Sequence, residues 1–245
     1  MIKIEHIHTC NWEAAIRGMR NPMNSWDKSD SGYGCSEYNP NMRCNACPFK
    51  PDYCGISNDH YILGPNDLKL ALQLAKAGTD HGKFLRQITF SCDITAPMYY
   101  WKEMDTYKVG TVRNSCSTMH KIMAKEFVEE DFSWDKTIDY TDANGNDFKE
   151  TTLEQLNRLR DKYLCYKMTP TKDIEMKNEL MKKYWYSIIQ LLPSSYNQKA
   201  TWTANYEVLR NIYHARKNHK LDEWHEFCHM IEKLPYSELI TEVRE

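Results

Sequence analysis

The stretch RQITFSCDITAPMYYWKEM, residues 86–104, changes its period within a few residues, and no other stretch constrains the fold as strongly. Ile88, Phe90, Cys92 and Ile94 alternate with polar partners, which predicts a strand with one buried face. Pro97 then stands where a helix begins, at its first position, and an aromatic helix is expected to follow. Strand and helix both belong to the core, so the chain is neither all-α nor all-β.

The rest of the chain supplies mostly helices. Residues 2–8 alternate as a strand, and residues 11–20 read as a short helix. Gly64-Pro65-Asn66 opens another, with Leu68, Ala71, Leu72 and Ala75 on one face and Gly78 as its stop. Residues 135–149, with DANGND, read as a surface loop. Thr151 and Glu154 form a capping-box pattern ahead of LEQLNRLRDKYL. KYWYSIIQLLP predicts a buried helix ending near Pro193, then a polar segment, then amphipathic helices over roughly 203–216 and 221–234. The expected class is α+β.

Composition excludes several functions. A net charge of −2 gives no general pull on nucleic acid or an acidic membrane. The N-terminus lacks the apolar core of a signal peptide, and no apolar run approaches a membrane span. Nine cysteines without a secretory signal point to a cytoplasmic chain with thiols or a metal site, not a disulfide framework. Neither G-x-G-x-x-G nor a P-loop is present.

Three features invite chemistry. Residues 21–63 form a long irregular insertion with Cys35, Cys44, Cys47 and Cys54, and CNAC brings two thiolates to one point. The insertion has few apolar residues, so zinc would supply folding energy there; an iron–sulfur cluster and free thiols are the alternatives. HEFCH, His225 to His229, matches the helix of zinc proteases, but an amphipathic helix with Trp224, Phe227, Cys228 and Ile231 inward explains it without metal. Residues 99–120 and 191–224 each set polar groups and a few cations beside a strongly apolar helix, which suits a planar heterocycle carrying a phosphate; two ordinary capped helices are the alternative.

Taken together, these segments resemble the flavin-dependent thymidylate synthase family, the ThyX type, in a divergent phage or prophage form. Ala96-Pro97 follows the family's strand and helix start. Thr106-Tyr107-Lys108 falls where the family has R-H-R, the part of its signature that binds flavin. Thr111, Asn114 and Ser117 fall on later signature positions, with one residue inserted. Leu192-Pro193 and Trp202-Thr203-Ala204-Asn205 match its L-P and W-T-x-N, and Asn211 and Arg216 match positions of the next helix. Departures are Met119 and His120 at the signature's final Arg and Tyr, and Glu207 at an arginine position, which inverts a charge. Lys199 retains a cation, and Lys83 and Arg86 are candidate replacements for others.

The resemblance implies a single helix-rich domain over residues 1–245 with a central, mostly antiparallel sheet and the cysteine insertion within it. It implies a pyrimidine nucleotide held by Ser117, Lys199, Arg216 and Arg86, and FAD or nucleotide contacts from Lys108, Thr111, Asn114, Asn205 and Asn211. The family reaction methylates dUMP at C5 with folate and flavin, in a homotetramer. The alternative is a catalytically inactive member that binds a nucleotide or a protein partner; the remote one is the zinc protease.

Overall fold

The computed structural model describes residues 2–33 and 61–242. In chain order the elements are β1 (Lys3–Cys10), α1 (Trp12–Arg20), β2 (Gly32–Tyr33), β3 (Tyr61–Ile62), α2 (Pro65–Lys76), β4 (Thr89–Pro97), α3 (Met98–Met104), β5 (Val112–Ser115) and α4 (Thr118–Lys121). They continue with α5 (Phe148–Met168), α6 (Ile174–Leu191), β6 (Asn197–Asn205), α7 (Tyr206–Arg216), α8 (Asp222–Glu232) and α9 (Glu238–Thr241). Four strands form a mostly antiparallel sheet in the order β1-β4-β6-β5, and β2 pairs with β3. The class is α+β, as the sequence predicts. No helix among the described residues is long and apolar enough to cross a membrane.

The chain forms two compact units. One comprises, among the described residues, 2–33, 61–94, 105–114 and 200–242, with the larger part of the sheet. The alternation read in β4 puts Ile88, Phe90, Cys92 and Ile94 inside, each 0–1% exposed. Trp202 of β6 meets Phe90 edge-on at 6.1 Å and Phe227 of α8 at 5.8 Å, so a sheet face is sealed by aromatic contacts with defined geometry. Burying such rings is the main favourable term here.

In the same unit α2 begins under unusual control. Pro65 occupies a first-turn position, and the Asp30 carboxylate accepts the N–H groups of Asn66 and Asp67 at 2.9 and 3.0 Å. A Cβ on Gly64 would come 2.3 Å from Asp30 Cγ, so only glycine lets the two segments approach. Asp67 is fully buried and accepts from Arg20 Nε, Ser29 Oγ and Ser31 Oγ, each at 2.6 Å. Gly32 pairs with Ile62 and Tyr33 with Tyr61.

The other unit comprises residues 95–104 and 115–199. Helices α5 and α6 lie side by side as a hairpin. Ile122, Phe127, Phe132, Trp134, Leu156 and Ile188 form its core, with Trp185, Leu192 and Tyr196 packed against them. The rings of Phe132 and Trp134 stack at 4.4 Å.

Four local features differ from the sequence reading. Pro97 ends β4, and the helix begins at Met98. Helix α5 begins at Phe148, where Asp147 Oδ1 accepts from Lys149 N and Glu150 N; Thr151 lies inside the first turns. Ile188 is the buried residue of α6, while Tyr186 and Leu191 are exposed, because two helices packed mainly on each other cover one stripe apiece. Residues 197–205, expected to be a polar segment and, from about 203, the start of a helix, are the strand β6, and the helix begins at Tyr206.

Candidate functional site

The site residues divide between the units. Arg86, Lys108, Thr111, Asn114, Asn205, Asn211 and Arg216 belong to one; Ser117 and Lys199 belong to the other.

In the first unit the geometry centres on Arg216, in the last turn of α7. Its Nε donates to the Tyr107 hydroxyl at 2.8 Å. Its guanidinium lies 4.8 Å from the centroid of the Trp224 ring and 5.6 Å from that of Tyr107. The two rings meet edge to face at 6.1 Å, and Trp224 is fully buried. The cation therefore rests on a rigid aromatic platform, in the arrangement that most favours a guanidinium over an ammonium.

The loop 105–114 delivers Tyr107 to this place. Thr111 Oγ1 donates to the Tyr107 carbonyl at 2.5 Å, closing a turn in which Gly110 has φ 75°. That backbone region is open to glycine and strained for other residues. A Cβ on Gly110 would come 3.0 Å from Asn205 Nδ2 and 3.3 Å from Val208 Cγ2, so the turn lies directly against the start of α7. There Asn205 Oδ1 accepts from Val208 N at 3.0 Å and caps the helix. Arg113 pairs with Asp105 at 3.2 Å across the same loop. Thr111 and Asn205, expected from the sequence as ligand contacts, thus form part of the frame around Arg216. Lys108, Asn114 and Asn211 are exposed, as is Arg86 on the 3-10 turn Gly82–Arg86.

In the second unit Ser117 caps α4. Its Oγ accepts from His120 N at 3.2 Å and lies 2.7 Å from His120 Nδ1. Cys116 N donates to the Lys199 carbonyl at 2.8 Å, which sets Ser117 beside the strand carrying Lys199. Gln198 Nε2 donates to the Cys116 carbonyl at 2.8 Å, and Trp185 Nε1 to that of Met119 at 3.0 Å, so residues 116–119 are held from two elements. A groove of about 770 Å³ in this unit is lined by Phe127, Leu153, Asn157 and Arg158 among others, and by neither Ser117 nor Lys199.

The sequence reading did not single out Trp224, Gln198 or Trp185 as parts of a site. Tryptophans supporting a cation or a turn carry no motif, and a tryptophan at helical spacing looks the same when it only fills a core.

The HEFCH segment lies on α8 with Trp224, Phe227, Cys228 and Ile231 buried. Burial pushes the Cys228 thiol up to about 11. His225 Nδ1 lies 3.6 Å from Asp222. Among the described residues, no three His, Cys, Asp or Glu side chains are placed to hold a metal ion. Cys35, Cys44, Cys47 and Cys54 lie outside the described residues.

A flavin pyrophosphate requires cations or N–H donors. Of residues 106–108, only Lys108 is charged, and Tyr107 directs its hydroxyl to Arg216. These three residues do not supply the cations that the resemblance to R-H-R leads one to expect there.

The fold is that of a known class of α+β enzymes, matched along nearly the whole chain. It is the fold of flavin-dependent thymidylate synthase ThyX. A ThyX structure from Helicobacter pylori complexed with FAD and dUMP has a TM-score of 0.59 at 14% identity, over 99% of this chain and 100% of that one. A second structure of the Helicobacter pylori enzyme with FAD and dUMP gives 0.58 at 14% identity, over 98% of each chain. The UMP/dUMP methylase PolB from Streptomyces cacaoi, bound with 5-Br dUMP, gives 0.51 at 12% identity, over 97% of this chain and 93% of that one. No family model matches the sequence, and no curated protein does.

Proposed function

We propose that the chain is a nucleotide-binding protein of the ThyX fold, with a pyrimidine nucleoside monophosphate as its ligand and Arg216 as the group that meets the phosphate. The observation that carries this reading is the fixed guanidinium: an arginine bonded by Tyr107 and stacked on Trp224 is ordered before a ligand arrives. The fold supports the choice of nucleotide, since structures that share it hold dUMP or 5-Br dUMP. Lys108, Asn114, Asn211 and Arg86 offer exposed donors, and Ser117 and Lys199 are further candidates for the nucleotide.

A second reading, methylation of dUMP at C5 with folate and flavin, is supported by the FAD held in the Helicobacter pylori structures. Residues 106–108 count against it. In the catalytically inactive reading, the same residues bind a nucleotide without turnover. Homotetrameric assembly and zinc on the four cysteines belong to the proposal as well. Light scattering checks the first and metal analysis the second.

Calorimetric titration with dUMP, dTMP and FAD tests the central claim. A charge-assisted hydrogen bond contributes about 1.5–3 kcal/mol. Arg216→Ala should therefore weaken dUMP binding by roughly tenfold to a hundredfold. Wild-type protein that binds none of the three overturns the nucleotide reading. A visible flavin absorbance band in the purified protein, with turnover of dUMP, would favour the methylating reading.

A further inference from the structure

Tyr107 stands out because its polar atom faces inward to another side chain of the same unit. The phenol oxygen accepts Arg216 Nε at 2.8 Å. Its backbone carbonyl is in turn held by Thr111 Oγ1 at 2.5 Å, and the turn that contains both is pressed against α7 at Gly110. Two backbone contacts thus hold the turn that carries Tyr107, and the hydroxyl links that turn to Arg216.

We propose that Tyr107 is a positioning residue for Arg216: its hydroxyl fixes the rotation of the guanidinium on Trp224, so that the Nη1/Nη2 edge meets the ligand's phosphate. This inference rests on the reading of Arg216 as phosphate anchor. The chemistry follows from the shape of the group. A guanidinium is planar, with Nε on one edge and the two terminal nitrogens on another. Stacking on Trp224 fixes the plane but permits rotation within it. The hydrogen bond to Nε removes that rotation. The terminal fork is then aimed in one direction, the condition for bidentate recognition of two phosphate oxygens.

A lysine at position 216 would have no Nε and no fork, so Tyr107 would have nothing to orient. A double-mutant cycle with dUMP as the probe therefore separates orientation from general support. The variants are Y107F, R216K and the double variant Y107F/R216K, with R216A as the control for the anchor. Y107F keeps the ring and its packing and removes only the hydroxyl.

The expected result is a roughly threefold to tenfold loss of dUMP affinity in Y107F, the range for one hydrogen bond. Adding Y107F to R216K should cause no further loss. Equal losses from Y107F in both backgrounds would show a merely structural role and overturn the proposal. A loss in R216A with none in Y107F would overturn the positioning role and leave the anchor standing. An unchanged affinity in R216A would overturn the anchor and the positioning role with it. T111V keeps the test decisive if Y107F does not fold. It loosens the carbonyl of Tyr107 and keeps the phenol, and it should weaken dUMP binding in the wild-type background but not in R216K.

Discussion

Asp67 accepts the Nε–H of Arg20 at 2.6 Å, with both side chains buried. The same carboxylate takes two serine hydroxyls and the N–H groups of Asp30 and Ser31. One anion thereby holds α1, α2 and the segment before β2 together. Asp67→Asn keeps the shape but leaves the Arg20 charge buried without its counterion. A broken buried pair costs about 3–5 kcal/mol. The denaturant midpoint should fall accordingly, and an unchanged midpoint would show that the pair is not holding these elements.

The same carboxylate gives the stability a pH dependence. Burial pushes its pKa up, but hydrogen bonds from Ser29, Ser31 and Arg20, with the Arg20 charge, outweigh burial and hold it below the ordinary value. A folded-state pKa below the unfolded value means the contribution is complete above the unfolded pKa, about 3.9, and is lost as pH falls through the folded value. Denaturant titrations should therefore show an acid-side loss that is smaller in Asp67→Asn. Equal acid slopes in the two proteins would assign the loss to other groups.

Two substitutions three residues apart in opposite roles test how α5 starts. Asp147→Ala removes the acceptor for Lys149 N and Glu150 N and should cost about 1 kcal/mol. Glu150→Ala, beyond that cap, should cost about 0.5 kcal/mol or less. Thermal melts of the two variants give the comparison, and a larger loss from Glu150→Ala would contradict the observed cap.

Gly110 should resist substitution. Alanine at φ 75° takes on left-handed strain of about 1–2 kcal/mol, and its Cβ also crowds Asn205. Gly110→Ala should lower the thermal midpoint. No change would mean that the turn relaxes away from α7 at little cost.

What could be read from the residues depended on how strongly each signalled. β4 was legible because Ile88, Phe90, Cys92 and Ile94 are all large or apolar enough to mark alternate positions. β6 uses the same period with Ala200, Trp202 and Ala204 inward, but two of those three are alanines, and their weak signal was lost among polar neighbours. The start of α5 was misplaced because Thr151 and Glu154 satisfy a capping pattern that the earlier Asp147 pre-empts. Arg216 was legible as a cation in a motif. Its partnership with Tyr107 was not, because the two are 109 residues apart and only the fold brings them together.

The short ladder of Gly32 with Ile62 and Tyr33 with Tyr61 places Tyr33 and Tyr61 side by side, although they are far apart in the sequence. Closing a loop between ends already held together depends only weakly on its length, by about 0.6 kcal/mol for each doubling. The ladder thus fixes where the chain leaves this unit at Tyr33 and where it re-enters at Tyr61.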